Sequence, residues 1–151
     1  MDIKIKGLIE EAIQQGVSAW IEYPDMEGFA VKVGYVGKED LYKMSDAAKS
    51  TIWKKHRKEE TVDRAKLTRR WAAKAILDWR GLTLGKLREF IPIRVKSEEM
   101  NTEVPCDEEN RFTLLFNSME FDAWLTEVAT APEYFVDEMK KAQSDLGELK
   151  K

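Results

Sequence analysis

One cysteine, Cys106, and one histidine, His56, are all that the 151 residues hold of the two side chains that build disulfides, most zinc sites and most nucleophilic triads. A lone cysteine excludes an intramolecular disulfide framework and any cysteine-rich zinc site, and a reducing compartment is its simplest setting. The eight glycines are scattered singly, so no phosphate-cradling loop of the P-loop or dinucleotide type is present. No apolar run approaches the ~18 residues of a membrane span. The stretch Met1-Asp2-Ile3-Lys4-Ile5-Lys6 lacks the long apolar core and cleavage site of a secretory signal, and a cytoplasmic location is expected.

Hydrophobic residues make up 43% of the chain and charged residues 35%, a composition that places it among soluble globular domains with a sizeable core. The net charge is only −3, yet it is unevenly spread. Between Lys43 and Arg88 there are 14 Lys or Arg against 5 Asp or Glu, and the rest of the chain holds 11 basic and 23 acidic residues. So bipolar a chain can orient on a charged partner or associate with copies of itself, basic surface to acidic surface. The plainer reading is of solvated helix faces that neutralise one another within the monomer.

The periodicity predicts an α+β fold, mainly α, with an N-terminal β-hairpin followed by a compact bundle of about five helices. Residues 1–135 are expected to form a single globular domain and residues 136–151 a charged C-terminal helix or tail. Ile5, Leu8, Ile9, Ala12 and Ile13 recur at helical spacing ahead of Gly16. Ser18–Tyr23 and Phe29–Val36 are rich in aromatic and β-branched residues and flank the turn chemistry of Pro24–Gly28, which predicts a hairpin. A helix opening at Lys38 is expected to carry Leu41, Met44, Ala47, Ala48, Thr51 and Ile52, with Trp53 close behind and the basic run Lys54–Lys58 at or beyond its end. The longest helix is expected from Thr61 to Trp79, closed by Gly81 in a left-handed conformation. Thr83 is placed to cap a short helix to Phe90, and Ile93–Lys96 alternates like a short strand before the polar loop Ser97–Glu103. Asp107 is placed to cap a helix from Glu108, and Met119–Thr130 reads as another before Pro132.

Few side chains in this layout suit catalysis. His56 lies in a basic run with no cysteine or carboxylate at ligand spacing, so a metal site is not expected. Cys106 is followed by Asp107, Glu108 and Glu109, whose charges disfavour its thiolate. The pairs Glu98-Glu99 and Glu108-Glu109 would act as acid and base only inside a desolvated pocket, and loop and cap positions normally meet water. No catalytic, cofactor-binding or metal-binding residues are assigned, and no cofactor is expected. What the chain has in excess is apolar grip, with five tryptophans and six methionines. Trp53, Trp71, Trp79, Phe112, Phe116 and Trp124 are the candidates for partner binding or a shared core.

Four segments carry a resemblance. They are Asp-Trp-Arg-Gly-Leu (Asp78 to Leu82), Val-Pro-Cys-Asp-Glu-Glu-Asn (Val104 to Asn110), Leu114-Leu115, and Phe-Asp-Ala-Trp-Leu (Phe121 to Leu125). Together they resemble the tail assembly chaperones of long-tailed bacteriophages and prophages, over about Ser18 to Phe135. In that family a helix commonly ends in a tryptophan-glycine motif, and a segment of the type Pro-x-x-x-Glu-Asn starts the next helix and its paired leucines. The resemblance implies a non-enzymatic protein of the host bacterial cytoplasm that binds and solubilises the tape measure protein, with the tail tube protein as a second partner. No membrane partner is expected, since no apolar run is long enough to span one. The competing expectation is a small nucleic-acid-binding regulator using the basic stretch 43–88, which is weakened by the scarcity of aromatics among those cations.

Overall fold

The computed structural model describes residues 3–149. The chain begins with α1 (Ile5–Gln15), β1 (Ser18–Glu22), β2 (Ala30–Gly34) and α2 (Lys38–Ala47). It continues with β3 (Lys49–Lys54), β4 (Arg57–Val62), α3 (Arg64–Ala75), β5 (Ile76–Arg80) and the short α4 (Leu84–Leu87). After a 3-10 turn at Ser97–Glu99 come α5 (Glu108–Asn117), α6 (Met119–Thr130) and α7 (Glu133–Leu149). The class is α+β, mainly α, with helices taking 52% of the described residues. Among these residues no helix is long and apolar enough to cross a membrane.

The first hairpin forms as its turn chemistry requires, and it recruits a third strand from mid-chain. β2 lies between β1 and β5 in one antiparallel sheet. Ile21, Val31 and Trp79 stand opposite one another in a row on one face, and Trp20, Lys32 and Asp78 form the next row on the other. Helices α3 and α6 pack against β2, and α7 packs against β1. Phe29, Val31, Val33, Ile76, Phe121 and Leu125 are fully enclosed. Around Phe121 the rings of Tyr23, Phe29, Phe90 and Trp124 interlock at centroid distances of 4.8 to 6.3 Å, in the edge-to-face and offset geometries that aromatic quadrupoles favour. Burial pushes the Tyr23 hydroxyl up to about 12, and the Glu120 carboxylate beside it adds to the shift.

The stretch from Lys49 to Arg80 departs from expectation. Instead of continuing α2 through Trp53, the chain turns into the separate hairpin β3–β4, with Lys55 and His56 as its two-residue loop. Both loop residues have positive φ, 51° and 67°. Hairpins of this kind usually place glycine or asparagine there, so a loop made of lysine and histidine carries no turn signature. The basic run is therefore a hairpin tip and not a helix end. Likewise, the expected helix from Thr61 to Trp79 is divided. Asp63 caps α3, accepting from the Lys66 N–H at 3.1 Å, and the helix ends at Ala75. Ile76–Arg80 is extended because pairing with β2 buries Ile76 and Trp79, a tertiary gain that overrides the helical preference of the preceding alanines. Gly81 does take positive φ, 74°, but after a strand and not after a helix. Ile93–Lys96 forms no strand. A single hairpin followed only by helices is thus replaced by a sheet assembled from two distant segments, with a second hairpin between them.

The downstream helices start where their caps lie. The Thr83 hydroxyl accepts from the Lys86 N–H, the Asp107 carboxylate from the Asn110 N–H at 2.8 Å, and the Ser118 hydroxyl from the Phe121 N–H at 3.1 Å. Asp107→Ala removes one such acceptor and should cost about 1 kcal/mol. In a thermal melt of a chain this size the midpoint should fall by roughly 2 to 4 °C.

Candidate functional site

The six aromatic candidates fall in four separate places. Trp71 and Trp79 are interior, 8% and 6% exposed, and hold α3 and β5 to the rest of the fold. Trp124 is half-buried, its ring edge-on to Tyr23 at 4.8 Å. Phe112 and Phe116 stack at 5.1 Å on α5. The Arg69 guanidinium lies 4.0 Å from the Phe112 ring while its two terminal nitrogens donate to Glu109 at 3.2 and 3.4 Å. Phe116 and the neighbouring Met119 remain largely exposed. Trp53 stands alone on β3, 69% exposed, with Lys58 Nζ 5.4 Å from its ring centroid.

Two of the four segments that carry the resemblance, Asp78–Leu82 and Val104–Asn110, meet in space. The Trp79 indole N–H donates to the Val104 carbonyl at 2.8 Å, and the Val104 N–H donates to the Leu82 carbonyl at 2.7 Å. Asn110 Nδ2 donates back to the Pro105 carbonyl at 2.9 Å, so the asparagine locks the proline-led entry to α5. Arg111 donates to the Cys106 sulfur at 3.2 Å and to its carbonyl at 3.0 Å. Burial pushes the Cys106 thiol up, and the Asp78 charge adds to this, while Arg111 pulls the other way. The acidic residues that follow Cys106 are not the cause expected of them. Every polar contact here ties one backbone segment to another, which is structural work.

A further region was not among the sequence candidates. Helix α1 has no buried residue, although it bears Ile5, Leu8, Ile9 and Ile13, each at least half exposed. A row of isoleucine and leucine at helical spacing normally faces a core. Here Ile9 and Ile13 form one wall of a groove of about 570 Å³, and Val136 and Met139 of α7 line it as well. Tyr35, from the end of the first hairpin, and Leu77 of β5 also line it. Asp40 and Lys74 are the charged residues on its lining. Its volume falls in the range of ligand pockets, but it lacks the converging polar groups that orient a small molecule. Two helices flanking an apolar trough offer the shape into which the apolar side of a third helix fits.

No protein-family model, curated protein or solved structure matches this chain. Among the described residues no group of three or more His, Cys, Asp or Glu side chains is placed to hold a metal ion. The signal for the groove was present in the sequence, since the apolar face of α1 precedes a hairpin whose own inner face is filled by later helices. Periodicity reports that a face is apolar, not whether the fold covers it.

Proposed function

We propose that the chain is a non-enzymatic tail assembly chaperone of a phage or prophage, acting in the host cytoplasm to hold the tape measure protein soluble during tail assembly. The observation that carries this reading is the uncovered apolar face of α1 along the groove it shares with α7. A holdase for a long helical client needs such a surface, bounded by charge that limits its own precipitation. The junction of Trp79, Val104 and Asn110 supports the reading from another side, because there two motifs of the resemblance, Asp78–Leu82 and Val104–Asn110, are held together. The tail tube protein is a second partner in this reading, and neither a cofactor nor a membrane takes part.

Co-expression tests it. The chain is produced together with a tape measure protein from the same genome, and soluble material is captured through a tag on the chain and sized. The expected result is a soluble complex that is lost when the chain is omitted. A client that stays insoluble in its presence, or stays soluble in its absence, counts against the proposal.

A further inference from the structure

β3 and β4 form a two-stranded sheet of their own, and all six residues of β4 are exposed. Two strands alone are marginally stable in water, so an arm of this kind gains from a surface to lie on. Its charges are sorted along its length. Lys54, Lys55, Arg57 and Lys58 surround the tip, next to the exposed Trp53, while Glu59, Glu60 and Asp63 lie toward the base, where the one arm cation, Lys49, pairs with Asp46 at 2.9 Å. Among the described residues, no carboxylate comes within ion-pair distance of any of the four tip cations.

The complementary charge lies elsewhere on the same chain. Residues 97–110 hold six carboxylates and no cation. All six, Glu98, Glu99, Glu103, Asp107, Glu108 and Glu109, are exposed, and among the described residues only Glu109 has an ion-pair partner, Arg69. We propose that the tip of the β3–β4 arm of one copy docks on the acidic 97–110 segment of a second copy. The two surfaces differ, so the contact is head-to-tail, and repetition builds a ring or a row of copies. Trp53 provides the apolar anchor within the charged contact, the role aromatic residues commonly fill at interfaces. A nucleic acid is the poorer occupant. A ribbon lying in a groove of a duplex meets phosphates along both flanks, and here the β4 flank below the tip carries Glu59 and Glu60. The arm shares no residue with the α1–α7 groove, so this inference stands or falls apart from the chaperone reading.

Sedimentation velocity of the full chain tests it with paired charge reversals. The wild type should associate at low salt and dissociate at 1 M salt, where charges are screened beyond about 3 Å. An arm variant, K54E/K55E/R57E/K58E, and a segment variant, E98K/E99K/E103K/E108K, should each be monomeric alone, and an equimolar mixture should associate again. The segment variant leaves the cap Asp107 and the paired Glu109 in place. The milder K55Q/R57Q, confined to the exposed tip, should weaken association about tenfold, which keeps the test open should a quadruple variant fold poorly. A wild type that stays monomeric at low salt overturns the proposal. So does a mixture of the two folded variants that does not associate, or an arm variant that keeps its assembly state while losing affinity for a DNA or RNA duplex.

Discussion

Gly81→Ala should destabilise the protein by about 4 kcal/mol or more, a large share of the roughly 5 to 15 kcal/mol that holds a domain of this size together. Two costs combine. Gly81 has φ 74°, a conformation in which an L side chain is strained by about 1 to 2 kcal/mol. In addition, a Cβ at that position would meet the Gly28 carbonyl oxygen at 1.9 Å and its carbon at 2.8 Å, and these are backbone atoms that no rotamer change can clear. The clash falls where the loop after β5 crosses the turn of the first hairpin, so relief requires moving β5 away from β2. Urea denaturation monitored by tryptophan fluorescence should show a lowered midpoint or no folded baseline. A midpoint within experimental error of the wild type would mean that these two loops do not touch.

Trp79→Ala and Trp53→Ala should differ by several kcal/mol, although both stand among the same six aromatic candidates of the sequence. Trp79 is 6% exposed, pairs across β2 with Val31, and gives its indole hydrogen to the Val104 carbonyl. Its loss removes a large buried ring and leaves that carbonyl short of a donor, with an expected cost of about 3 to 5 kcal/mol. Trp53, 69% exposed on an arm with its own small sheet, should change folding stability by less than about 0.5 kcal/mol when truncated. Guanidinium denaturation of both variants under one set of conditions reads the difference. Equal effects would place Trp53 in the core as well. For mapping partners the consequence is practical: substitutions at Trp79 report on folding, whereas those at Trp53 or on α1 report on surfaces.

Local chemistry made part of this fold legible. The turn residues at Pro24–Gly28 specify the first hairpin, Gly16 ends α1, and the oxygens of Thr83 and Asp107 start α4 and α5. Met119–Thr130 is a helix with the bounds that its apolar spacing indicates. The departure between Lys49 and Arg80 has two physical sources. Positive φ at Lys55 and His56 is unusual for those side chains, so the second hairpin had no glycine or asparagine to announce it. The strand β5 follows α3 without a break and exists because β2, more than forty residues earlier, has an edge for it, a non-local demand that no short window of sequence contains. The site was legible in a similar, partial way. The aromatic residues that stand out by type are divided among core, ring cluster and surface, while the groove is formed by ordinary isoleucines and a leucine of α1 and β5 that look like core residues. Uncovered and covered apolar faces have the same spacing; only the packing of α7 and the sheet distinguishes them.

The most direct test of the central claim is the binding of a purified tape measure fragment to the wild type and to Ile9→Asp/Ile13→Asp. Because α1 buries no residue, the double substitution should leave the thermal midpoint close to that of the wild type. This folded variant is expected to lose at least about tenfold in affinity, since each aspartate places a charge against the apolar lining that a client helix would cover. Unchanged affinity in a variant shown by circular dichroism to be folded would contradict the assignment of the α1–α7 groove as the client-binding surface.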